Sequence, residues 1–80
     1  MDTLYILELE DNKWYIGKTA DLAIRFRQHQ NGTGSAWTKI YKPIGVKESR
    51  RLKDGYDETN TTKEYMKKYG IDNVRGGAYV

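Results

Sequence analysis

Hydrophobic and polar positions divide the chain into alternating extended and helical stretches. Thr3 to Leu9 carries Leu4 and Ile6 alternating with Tyr5 and Leu7, which predicts a strand with both faces at least partly buried. Glu10-Asp11-Asn12-Lys13 is polar and turn-forming, and Trp14-Tyr15-Ile16 forms a second short strand ended by Gly17. The two runs predict an antiparallel hairpin whose loop is longer than the tight two-residue type. Thr19 is the expected N-cap of a helix, with Asp21 favouring its positive start, and the helix runs to about Gln30, before Asn31-Gly32. Asn31 to Lys39 holds Gly32, Gly34 and Ser35 and reads as loop, tied down by Trp37 and Thr38.

Pro43 favours an extended residue before it, and Ile44 to Glu48 predicts a third, short strand. Ser49 to Tyr56 is ambiguous by pattern, with a turn at Asp54-Gly55. A last helix begins between Asp57 and Asn60 and ends at Gly70, its apolar face given by Tyr65, Met66 and Tyr69. The tail from Ile71 to Val80 is anchored by Ile71 and Val74 and interrupted by Gly76-Gly77. On the first helix, Leu22, Phe26 and His29 share one face with Arg25 at its edge. On the last, Glu58 and Thr62 fall on the apolar face, whereas Glu64 points away and is spaced for a surface ion pair with Lys68.

Composition narrows the chemistry. Eighty residues suit one domain over 1–80, and no repeat or flexible linker divides them. With no cysteine and a single histidine, disulfide frameworks and ordinary structural zinc sites are excluded. Seven tyrosines, two tryptophans and one phenylalanine supply an amphipathic core, with some hydroxyls expected in a groove. The net charge of +3, concentrated in the C-terminal half, suits a phosphate-bearing partner. No run approaches membrane-spanning length and no leader pattern opens the chain, so a soluble, intracellular protein is expected.

Tyr5-Ile6, then Tyr15-Ile16-Gly17 after a short turn, then Lys18, Arg25 and His29 at helical spacing, together resemble the GIY-YIG nuclease domain. Leu4-Tyr5-Ile6 stands where that family has Gly-Ile-Tyr, while the second motif is intact. Asn31-Gly32 and Pro43 echo mid-domain positions, and Tyr69 to Gly77, YGIDNVRGG, looks like the tail of small viral members, which raises a virus or phage origin. The resemblance implies an α+β fold, a small three-stranded antiparallel sheet flanked by helices. It also implies divalent-metal-dependent endonuclease activity, hydrolysing DNA phosphodiester bonds with Mg²⁺ or Mn²⁺.

Carried over by position, the resemblance puts Tyr5 or Tyr15 near an attacking water, Arg25 on the transferring phosphate and His29 beside it. A tyrosine, with a free pKa of about 10, needs cations such as Lys18 and Arg25 nearby to serve as a base. The metal-binding glutamate matches Glu58 or Glu64; the helical face favours Glu58, because a ligand must look toward the sheet. Lys39, Arg50, Arg51 and Lys53 would position DNA through phosphates without reading bases. Specificity is then weak, structure-directed, or borrowed from a homodimer partner or an additional domain. Each residue alone has a plainer reading: cross-strand aromatics for Tyr5 and Tyr15, a surface stem for Arg25, a half-buried helix residue for His29. A noncatalytic nucleic-acid-binding module on a degenerate scaffold is the alternative.

Overall fold

The computed structural model describes residues 2–79; Val80, the end of the tail, lies outside them. Strands β1 (Thr3–Leu9) and β2 (Lys13–Thr19) form the expected hairpin, followed by helices α1 (Leu22–Gln30) and α2 (Ala36–Ile40), strand β3 (Pro43–Arg51), helix α3 (Asp57–Tyr69) and strand β4 (Val74–Gly76). The sheet order is β3-β1-β2-β4. Its three long strands are antiparallel, and β4 adds a short parallel edge to β2 through Trp14↔Val74, Tyr15↔Arg75 and Ile16↔Gly76. The α+β architecture is therefore the expected one with a fourth strand drawn from the tail.

Burial on both faces of β1 explains its near-continuous apolar run. Leu4 and Ile6 pack with Trp14, Ile16 and Val74 beneath Tyr65, Met66 and Tyr69 of α3. Tyr5, Leu7 and Leu9 face the other way, toward Tyr15, Leu22 and Phe26 of α1, and Trp37 and Tyr41 at α2. The hairpin turn places Asp11 at φ 60° and Asn12 at φ 57°, a left-handed pair that short polar side chains tolerate best.

Four local expectations are revised. Gly17 does not end β2, which runs on to Thr19. The cap of α1 is Asp21, whose carboxylate accepts from the Ile24 amide at 3.1 Å; Thr19 instead accepts from the Asp21 amide at 3.1 Å. Part of the glycine-rich interval is helical, because Ser35 caps α2 by accepting from the Thr38 amide at 3.1 Å. Finally, β3 extends from Pro43 to Arg51, with its proline at the first position of an edge strand, where no ladder donor is lost. Trp37 does tie the segment down: its indole N–H donates to the Trp14 carbonyl at 3.0 Å.

The tail is seated by its glycines. Gly76 sits at φ 152°, and a Cβ there would strike the Ile16 carbonyl and approach Thr62 Oγ1 to 2.8 Å. One residue on, the backbone crosses the first turns of α3, where the Ala78 amide donates to Thr59 Oγ1 at 3.2 Å. That contact ties the tail to α3 next to Glu58.

Candidate functional site

The candidate site forms where β1, β2, α1 and the first turn of α3 meet. Tyr5 and Gly17 are cross-strand partners, and the Tyr5 ring lies over the glycine, where any Cβ would collide with its hydroxyl end. An aromatic covering a strand glycine compensates for the missing side chain. Tyr15 stands beside Tyr5 with ring centroids 6.3 Å apart, and its ring lies 4.9 Å from His29.

His29 is fully buried in the last turn of α1. Its Nε2 is 2.8 Å from the Tyr5 hydroxyl and its Nδ1 is 2.8 Å from Thr38 Oγ1. Gly34 leaves the room for this, since a Cβ at that position would run into the imidazole. Burial, reinforced by the Arg25 charge, lowers the His29 pKa to about 4, so the ring is neutral at pH 7. Burial pushes the Tyr5 hydroxyl far above the ordinary tyrosine value, with Tyr15 adding to the shift and Arg25 opposing it. Tyr15 is raised for the same first reason, then by Glu58, and is held back by Arg25 and by a hydrogen bond with the Ser35 side chain. Both tyrosines are thus stable phenols rather than ready bases.

Arg25 is half-buried on α1 and, among the described residues, engages in no salt bridge. Glu58, also half-buried, lies close enough to act on Tyr5 and Tyr15. Burial raises its pKa, against the opposing Lys18 charge and a hydrogen bond from the Lys18 backbone N–H. The helix begins at Asp57, so the wheel projection applies to Glu58. Glu64 is exposed, and its field falls instead on Arg50 and Tyr65. Tyr5, Tyr15, Arg25, His29, Glu58 and the Lys18 backbone therefore converge. The Lys18 side chain is exposed at the rim.

The outer basic residues divide. Arg51 ends β3 opposite Thr3, at the sheet end that also carries Lys18, and Lys53 is exposed nearby, its amide donating to Asp57 Oδ2 at 2.9 Å. Arg50 is committed elsewhere, its two guanidinium nitrogens donating to the Asp57 carboxylate at 2.7 and 2.9 Å. Lys39 is on α2, with its side chain against the Gly32 turn. Reading the sequence took Ser35 as loop and Thr38 as an anchor of that loop and missed the turn they cap, whose Ser-x-x-Thr spacing before Ile40 was the available signal.

Glu58 is the one carboxylate the site offers to a metal, and among the described residues no group of three His, Cys, Asp or Glu side chains gathers to hold one. It fits Mg²⁺ or Mn²⁺ only as the single protein ligand of an ion that keeps its waters and shares a substrate phosphate.

A small mixed sheet flanked by helices, with paired tyrosines, an arginine and a glutamate at one end, defines a class of small α+β domains. Residues 1–69 match the model of the GIY-YIG catalytic domain, and the chain belongs to the GIY-YIG family. It is similar to the UPF0213 protein YazA of Bacillus subtilis, 40% identical over 40 residues that cover 50% of this chain and 40% of that protein. A UPF0213 protein of Staphylococcus epidermidis, SERP0126, is 35% identical over 60 residues, covering 75% of this chain and 63% of the relative. Another from Halalkalibacterium halodurans, BH0048, is 26% identical over 83 residues, covering 95% and 86%. The match spans less than two thirds of the length of the first curated relatives, 40 to 63%. No solved structure matches the chain. These three relatives are bacterial, so the viral likeness of the tail rests on its sequence alone. No helix among the described residues is long and apolar enough to cross a membrane.

Proposed function

We propose that this chain, as one domain over residues 1–80, is a nucleic-acid-binding module on the GIY-YIG scaffold. It would grip a DNA phosphate with Arg25, with Lys18, Arg51 and Lys53 along the path of the backbone. The observation that supports it most is Arg25: a half-buried guanidinium beside two neutral tyrosine hydroxyls, engaged in no salt bridge among the described residues. A planar, permanently charged fork next to a neutral hydroxyl donor suits a phosphodiester oxygen pair. The phenols' raised pKa values and the sparse carboxylate set favour binding over hydrolysis.

A second reading, the metal-dependent endonuclease, is favoured by one observation: Glu58 shares the site with both tyrosines and Arg25. In that reading Glu58 holds Mg²⁺ or Mn²⁺, which supplies Lewis-acid help to the phosphate, Arg25 steadies the developing charge, and His29 positions Tyr5. Specificity would come from a second copy or a further domain, and a virus or phage origin rests on the YGIDNVRGG tail.

Fluorescence anisotropy with a labelled DNA duplex tests the first reading. Micromolar binding that weakens steeply with salt, and about 10-fold in Arg25→Ala, is expected; salt-insensitive or undetectable binding overturns it. Supercoiled-plasmid nicking with Mg²⁺ or Mn²⁺, abolished by chelator and by Glu58→Gln, would establish the second reading instead.

A further inference from the structure

We propose that Ser35 and Thr38, the capping turn of α2, are positioning residues that set the direction of the hydrogen bond between His29 and Tyr5. As a result Tyr5 donates inward to His29, which leaves Tyr15 as the site's hydroxyl donor to a bound phosphate. The proposal rests on the phosphate-binding reading above for its ligand, but not for its internal geometry.

The chain of contacts is continuous. Tyr5 hydroxyl meets His29 Nε2, His29 Nδ1 meets Thr38 Oγ1, and Thr38 Oγ1 lies 3.0 Å from Ser35 Oγ. The Thr38 hydroxyl also donates to the Ser35 carbonyl at 3.3 Å, and a carbonyl can only accept. The single Thr38 proton is therefore spent on Ser35, which leaves its oxygen to accept from His29 Nδ1–H. A neutral imidazole carries one N–H, so Nε2 must accept, and the Tyr5 hydroxyl is the donor.

Ser35 Oγ accepts from the Thr38 amide at 3.1 Å and, with the Thr38 proton on the Ser35 carbonyl, gives its own proton to Thr38 Oγ1. Tyr15 stands beside this relay, its ring 4.9 Å from His29 and 6.3 Å from Tyr5, and retains its O–H. That donor sits in the shared field of Arg25 and Glu58. Exposure agrees with the division, since Tyr5 is 1% exposed and Tyr15 only half-buried.

The decisive measurement is the tautomer of His29 by long-range ¹H–¹⁵N correlation on the labelled wild-type protein at pH 7. His29 is the chain's single histidine, so assignment is unambiguous. The expected result is the Nδ1–H form, with Nε2 shifted as an acceptor; an Nε2–H ring overturns the proposal. Thr38→Val should move the ring toward the Nε2–H tautomer, whereas Thr38→Ser should restore Nδ1–H; no change in Thr38→Val also overturns it. In the anisotropy titration, Tyr15→Phe should weaken binding to the labelled duplex about 10-fold and Tyr5→Phe by less than about 2-fold. Equal losses in the two variants would count against the division of roles. If wild-type protein binds no DNA, the functional reading fails, while the tautomer still decides the direction of the network.

Discussion

Asp57 and Glu58 are consecutive carboxylates in the first turn of α3, and they stand toward the nearby cations in two different ways. Asp57 is buried at 6% exposure and takes a bidentate Arg50 pair, the Lys53 amide and the Thr61 hydroxyl. The Arg50 hydrogen bonds, outweighing the cost of burial, hold Asp57 well below the usual carboxylate range. Glu58 shares the field of Arg25 at the tyrosines without a salt bridge to it among the described residues, and burial moves its pKa the opposite way. One corner is closed by its own charges. The other carries a cation and a carboxylate not satisfied by each other, which is what a binding site needs and a structural joint does not.

The largest effect expected from this contrast is on the closed corner. Asp57→Ala leaves the partly buried Arg50 without its partner and should cost about 3 kcal/mol, lowering the melting temperature by on the order of 10 °C or more. Glu58→Gln should leave the melt within about 1 kcal/mol of wild type, since it removes a carboxylate whose ionised form burial already disfavours. Equal destabilisation by the two substitutions would erase the distinction between the corners.

Acid should separate the groups next. His29 has a folded pKa of about 4 against an ordinary 6.5, so the unfolded chain binds the extra proton between those values. Stability contributed by the buried neutral ring is whole above about pH 6.5 and falls as pH drops toward 4, by about 3 kcal/mol in all. Asp57 contributes above the ordinary carboxylate value and loses its contribution only below it, as pH falls through the depressed folded pKa. Glu58 acts in the opposite sense, its raised pKa trimming stability as pH rises through the carboxylate range. Urea melts between pH 8 and 4 check the sign, and a flat profile there would mean that His29 is not buried neutral.

Gly17→Ala comes after these, at about 1 to 3 kcal/mol, because the new methyl displaces the Tyr5 ring from the strand. The smallest stability change is expected for Arg25→Ala, within about 0.5 kcal/mol, alongside its about 10-fold loss of DNA affinity. A large destabilisation in that variant would mean that Arg25 is a packing residue after all.

How much of this was legible can be followed residue by residue. The periodicity of Leu4 to Leu7, the Asn31-Gly32 stop and the Tyr65–Tyr69 face follow from local chemistry, so the hairpin and two long helices could be read directly. Arg25 and His29 were singled out because one helical turn separates them and the GIY-YIG resemblance selects the same pair, and Glu58 because α3 starts early enough for its face to be projected. Arg50 read as DNA-facing surface, since nothing local reveals that a carboxylate seven residues later folds back onto it. The turn that Ser35 and Thr38 form was lost in a glycine-rich interval whose five-residue helix is too short to leave a periodic signal.

The sequence alone determined the hairpin, the two long helices, the pairing of Tyr5 with the Tyr15-Ile16-Gly17 motif and the family to which the chain belongs. Those depend on spacing and on side-chain preferences that act within a few residues. Tertiary structure decided which charges are spent and which remain open, which way the tyrosine hydroxyls point, and that the tail becomes a fourth strand. These depend on burial and on partners brought together from distant positions. A carboxylate's pKa and a hydroxyl's donor direction exist only once those neighbours are in place.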